Sequence, residues 1–186
     1  IQIALLGVAL SQLHGCAAVV VGGAATGASV AMDRRTAGAY LGDQEIELRA
    51  MNRLGETFKE NPVRISVTSY NRQALLTGQV PDEATRTRAA EVVKGVPEVR
   101  AVLNELAIAG VVSLTTQTND ATTTANIKTR LLRDERVSAN NIKVVTEAGV
   151  AYLMGLVTAA EASAATEITR NTAGVTKVVT VFEFIN

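Results

Sequence analysis

Residues 65–78 read ISVTSYNRQALLTG, and residues 142–155 read IKVVTEAGVAYLMG. The two stretches align without a gap, placing Ile65 on Ile142, Val67 on Val144, Leu76 on Leu153 and Gly78 on Gly155. Val80 and Val157 continue the match at the same spacing, and upstream Arg53-Leu54 falls on Arg130-Leu131. Downstream the spacing shortens by one residue, setting Ala89 on Ala165, Val92 on Ile168, Val99 on Val175 and Val102 on Val178. Self-similarity held over such a length marks an internal duplication, so the chain is read as two copies of one unit.

Each copy has a physical reading. Ile65-x-Val67 followed by Leu76-x-Gly78-x-Val80 alternates as strands do, with Tyr70-Asn71-Arg72-Gln73 as the turn between them. The second copy repeats the pattern around a turn at Glu147-Ala148-Gly149. Ahead of each hairpin lies a stretch of helical composition. Glu45 to Glu60 carries Leu48, Met51 and Leu54, and Thr123 to Arg136 carries Ile127 and Leu131, at the spacing of one helix face. After each hairpin, Asp82 and Thr158 are suited to cap a helix, and Glu161 completes a capping box with Thr158. Those second helices are expected to end near Gly95 and Gly174, and β-branched runs from Val99 and Val175 close the units. The predicted class is α+β: two tandem αββαβ domains, each a three-stranded mixed sheet packed by two helices. Gly78 and Gly155, inside strands, predict a bulge or a close approach by a helix, not a ligand contact.

Composition removes whole function classes. Lys and Arg number 18, as do Asp and Glu, so no net field draws the chain to nucleic acid. Trp is absent and aromatics make up 3% of residues, which leaves little to stack on bases. His14 is the one histidine and Cys16 the one cysteine. Neither an intrachain disulfide nor a His-based triad or zinc site is expected, and nothing marks an enzyme or a cofactor-binding protein.

The amino terminus is apolar from Ile1 to Leu13 and reaches Leu13-His14-Gly15-Cys16. That tetrad resembles the lipobox of bacterial lipoproteins, whose cysteine is acylated and becomes the first residue after cleavage. Residues 1–15 are therefore read as part of a signal peptide and residues 16–43 as a lipidated cysteine with a Gly/Ala-rich tether. An uncleaved membrane-spanning helix is the alternative, since no charge appears before Asp33.

The hairpin glycine followed by x-Val, the capped second helix and the closing Gly174-Val175-Thr176-Lys177-Val178 resemble the BON domain. The order of lipobox, tether and two such units, at 44–110 and 120–186, is similar to the dual-BON outer-membrane lipoproteins. In the first unit Glu98 replaces the closing glycine, which predicts a strained or rearranged turn. The resemblance implies an outer-membrane location facing the periplasm, with Ala17 after the cysteine in place of an inner-membrane retention Asp. It also implies binding of membrane phospholipid and a part in envelope integrity. The alternative is a periplasmic scaffold that docks an envelope protein.

A contact face is sought on the first helix of the second unit. With Ile127 and Leu131 in the core stripe, Lys128, Leu132 and Arg133 present a Leu flanked by cations, suited to an anionic lipid. Dual-BON relatives can carry an aromatic near the start of this helix; Thr122 stands there. The second unit is accordingly expected to make the membrane contact and the first to support it.

Overall fold

The computed structural model describes residues 33–60, 63–109 and 114–186. Cys16, the signal segment and nearly all of the tether lie outside them. Residues 34–186 form one compact unit.

In the first module α1 (Ala37–Thr57) precedes a hairpin of β1 (Arg64–Tyr70) and β2 (Gln73–Val80). Helix α2 (Glu83–Lys94) and the short strands β3 (Ala101–Asn104) and β4 (Ala107–Ile108) complete it. The second module runs α3 (Leu114–Arg133), β5 (Ile142–Glu147), β6 (Val150–Val157), α4 (Ala159–Arg170) and β7 (Lys177–Phe184). Both hairpins are antiparallel, and the closing strands pair in parallel with β2 and β6. Ile65 faces Gly78 and Ile142 faces Gly155, so the duplication read from sequence holds in register. The α+β assignment stands.

Local chemistry explains the boundaries. Asp82 accepts from the Thr85 amide at 2.7 Å, and Thr158 with Glu161 forms a complete capping box. Both hairpins turn through two residues with positive φ, Asn71 and Arg72 at 50° and 66°, Ala148 and Gly149 at 48° and 78°. These primed turns match the right-handed twist of the strands they join. The in-strand glycines are explained by close approach of the backbone where the chain enters the facing strand, and not by a packed α-helix. A Cβ on Gly78 would lie 2.1 Å from the Arg64 carbonyl oxygen, and one on Gly155 would lie 2.5 Å from that of Asn141.

Three expectations need correction. Leu48 and Met51 do not pack inward but are 64% and 44% exposed; Ile46, Ala50 and Leu54 form the inner face of α1. Helices α1 and α3 begin well before Glu45 and Thr123, so α1 occupies part of the stretch read as tether. The closing strand of the first module breaks at Glu105-Leu106, leaving two short pieces against β2, whereas β7 runs unbroken for 8 residues.

Each module has its own core between helices and sheet. Ile46, Leu54, Leu76, Val80 and Val93 fill the first, and Ile127, Leu131, Leu153, Val157 and Ile168 the second. The opposite sheet faces meet in a third cluster of Tyr70, Leu75, Tyr152 and Met154, joined by Leu103, Val145, Val179 and Val181. The modules therefore stack sheet against sheet with their helices outermost. Leu75 is fully buried and Met154 nearly so, and each such side chain contributes about 1.5–3 kcal/mol. A small unit that buries too little alone gains a second apolar face in this way.

Candidate functional site

Helix α3 carries the face singled out from sequence. Its inner stripe is tightly packed, with Ile127 at 0% and Leu131 at 1% exposure. One residue further round, Leu132 is 68% exposed, and Lys128 and Arg133 are exposed beside it. Lys128 precedes Leu132 by four residues, so the two lie on adjoining turns of one helix side. Neither Lys128 nor Arg133 forms an ion pair among the described residues, leaving both charges to solvent or a ligand. Arg133 also lies in the last turn, where a cation is favoured by the helix dipole.

The structure does not bring Thr122 into this group. It is exposed on α3, donating to the Thr118 carbonyl oxygen at 3.0 Å. Ten residues of helix separate it from Leu132 by about 15 Å along the axis. The candidate face is thus Lys128, Leu132 and Arg133, at the carboxyl end of α3.

Arg130, on the same helix, has a structural task. It donates to the carbonyl oxygen of Asn171 and to Thr172 Oγ1, closing the end of α4. Its repeat mate Arg53 donates to the Gly95 carbonyl oxygen at 2.6 Å and closes α2 in the same manner. The Arg53 and Arg130 correspondence seen in sequence therefore reports helix capping, not ligand binding.

The module junction is polar around its apolar centre. Tyr70 donates its hydroxyl to the Asn141 carbonyl oxygen at 3.0 Å. Glu147 accepts from Arg64 at 2.9 Å and from Gln79 at 2.7 Å, Lys143 reaches Glu47 at 2.7 Å, and Glu183 accepts from Asn71 and Arg100, each at 2.9 Å. Burial, with Glu105 and Glu147 nearby, pushes the Tyr152 phenol up to about 12, so it stays neutral across the physiological range.

A strap that sequence reading missed crosses this junction. Arg34 donates to both carboxylate oxygens of Glu161 at 2.7 and 2.9 Å, to the Leu156 carbonyl oxygen at 2.9 Å, and through its amide to Asn141 Oδ1 at 2.9 Å. That Arg34 fork, aided by Thr158, holds the Glu161 carboxyl down at about 2 against the opposing effect of burial. Next in sequence, Arg35 bonds Asp43 at 2.7 Å and lies 4.0 Å from the centre of the Tyr70 ring. Neighbouring residues thus grip both modules, Arg34 the second and Arg35 the first. The Asp33-Arg34-Arg35-Thr36 run was the available signal, but nothing in sequence pairs Arg34 with a residue so distant.

No group of three or more metal-ligating side chains exists among the described residues, and none of their helices is long and apolar enough to cross a membrane.

Comparison with known proteins agrees with this architecture. The BON domain signature matches residues 42–110 and 119–186. The chain is 36% identical over 186 residues to the outer membrane lipoprotein DolP of Haemophilus influenzae, spanning 100% of this chain and 96% of that protein. It is 32% identical over 155 residues to a 21 kDa hemolysin of Actinobacillus pleuropneumoniae, covering 83% and 80% of the two chains. A match of 31% over 122 residues links it to the osmotically-inducible protein Y of Escherichia coli, covering 64% and 61%.

Proposed function

Because the chain belongs to the BON-domain family, we propose that it is an outer-membrane lipoprotein, acylated on Cys16 and facing the periplasm, whose paired modules bind phospholipid and help to maintain the envelope. The likeness to DolP along the whole chain supports the location. The observation that carries the lipid reading is the 68% exposed Leu132 flanked by two uncommitted cations, one residue round the helix from a closed core stripe. A Leu so placed can enter the glycerol region of a bilayer while Lys128 and Arg133 meet anionic head groups. Catalysis and cofactor binding form no part of the reading, and the ligand is the membrane itself.

The test is vesicle flotation of residues 33–186, which keep the Arg34-Arg35 strap and the whole of α1. Binding should rise with the share of phosphatidylglycerol and fall with salt. A protein that stays at the bottom of the gradient with every vesicle composition would overturn the proposal.

A further inference from the structure

The outer edge of β7 has no strand beside it among the described residues: the second sheet runs β5-β6-β7 and stops. The strand is 8 residues long, and from Val178 to Phe182 it carries no charge. Long apolar edges are a liability, since their free amides and carbonyls template pairing with another chain, and proteins ordinarily blunt them. The first module does so. Its closing strand breaks after Asn104, whose side chain donates to the Arg86 carbonyl oxygen at 2.9 Å and accepts from the Leu106 amide at 3.3 Å. Arg86 returns a bond to the Asn104 carbonyl oxygen at 3.2 Å. The second module has Thr180 at the matching position and leaves its edge open.

Along that edge, between α4 and β7, runs a groove of about 510 Å³. Ala162, Thr166 and Arg170 form one wall, with Thr180, Phe182 and Phe184 on the other side. Phe184 is 67% exposed. Glu167 is bonded to Arg136 at 3.2 Å. Arg170, at the end of α4, and Lys177, at the start of β7, form no ion pair among the described residues and are both exposed.

We propose that this edge and groove bind an extended segment of another polypeptide as a fourth, antiparallel strand, with alternate apolar side chains in the groove and an acidic carboxyl end at Arg170 and Lys177. Only a polypeptide backbone supplies the alternating donors and acceptors that an open strand edge demands, and this mode of recognition is strand addition. A strand antiparallel to β7 finishes beside Lys177, which puts its carboxylate at the two free cations. The site is remote in sequence from Leu132 and does not rest on the lipid reading.

The test uses the full chain in dodecyl maltoside micelles, without lipid. The probe is a fluorescein-labelled octapeptide of alternating Thr and Val ending in Asp with a free carboxylate. Saturable binding is expected, with slowed amide exchange at 177–184 and none at 101–104. Two versions of the peptide, N-methylated on alternate residues in opposite phases, should differ: one phase abolishes binding and the other keeps it. Combined Arg170→Glu and Lys177→Glu should weaken binding about tenfold in a chain whose unfolding is unchanged. Absence of binding, equal binding by both N-methylated peptides, or protection confined to another element would overturn the proposal. Should the double variant fail to fold, the N-methyl comparison still decides. Mixed-tag crosslinking through β7 without peptide would show that a second copy occupies the edge, and would overturn it as well.

Discussion

Glu98 and Gly174 occupy the same position in the two modules and share a left-handed backbone, with φ of 68° and 90°. The glycine adopts it at no steric cost; the glutamate does not, and its contact with Arg72 at 3.5 Å is an exposed pair worth little. Glu98→Gly should therefore stabilise the protein by about 1 kcal/mol in urea unfolding. Gly174→Ala should do the reverse and cost more, since its Cβ would lie 2.3 Å from Thr123 Oγ1. A destabilised Glu98→Gly protein would show that Glu98 contributes a contact larger than its strain.

The Arg34–Glu161 pair makes stability depend on acid. The Glu161 carboxyl titrates at about 2 in the folded chain against an ordinary value of 4.5. A depressed value adds stability that is complete above the ordinary value and is lost as pH falls from there toward 2. Arg34→Ala should cost about 2 kcal/mol at neutral pH and flatten the fall in melting temperature over that acid range. Parallel acid limbs for the two proteins would contradict the assignment.

Much of this fold was legible because a duplicated hairpin fixes its own register. The closing strand and the phase of α1 were less so. On α1 two apolar stripes coexist, Ile46-Ala50-Leu54 inside and Leu41-Leu48-Met51 outside. Size favours the second, but the small Ala50 lets the helix lie close on the sheet, and packing decides for the first. A further pair escaped notice although the spacing predicts it. Asp43 accepts from Ser69 Oγ and the Asn71 and Arg72 amides, each at 2.7 Å, and Asp120 accepts from the Ala148 and Gly149 amides at 2.8 and 2.9 Å. These buried carboxylates anchor the hairpin turns, a role that only the three-dimensional closure of helix on turn makes visible.

Sequence reading placed Leu132, Lys128 and Arg133 outside the core because helix periodicity assigns the inner stripe to Ile127 and Leu131, and all three are exposed. Thr122 lies apart from them on α3, a separation along the helix that resemblance does not carry. The sheet-to-sheet stacking was not legible, since Tyr70 and Tyr152 read as ordinary strand residues until their partners across the junction are known.

Acylation has a direct check. Metabolic palmitate should label the wild-type chain and fail to label Cys16→Ala, which should also leave the outer-membrane fraction. A wild-type protein that never takes up label would remove the lipid anchor from the account.

The most direct measurement of the central claim is flotation of residues 33–186 with phosphatidylglycerol vesicles, comparing wild type with Leu132→Glu. The substitution should weaken binding about tenfold, equivalent to about 1.4 kcal/mol of apolar contact. Thermal unfolding should shift by no more than about 0.5 kcal/mol, because Leu132 is 68% exposed. A folded Leu132→Glu protein that floats as wild type does would contradict the α3 contact, and wild-type protein that binds no vesicle would contradict lipid recognition itself.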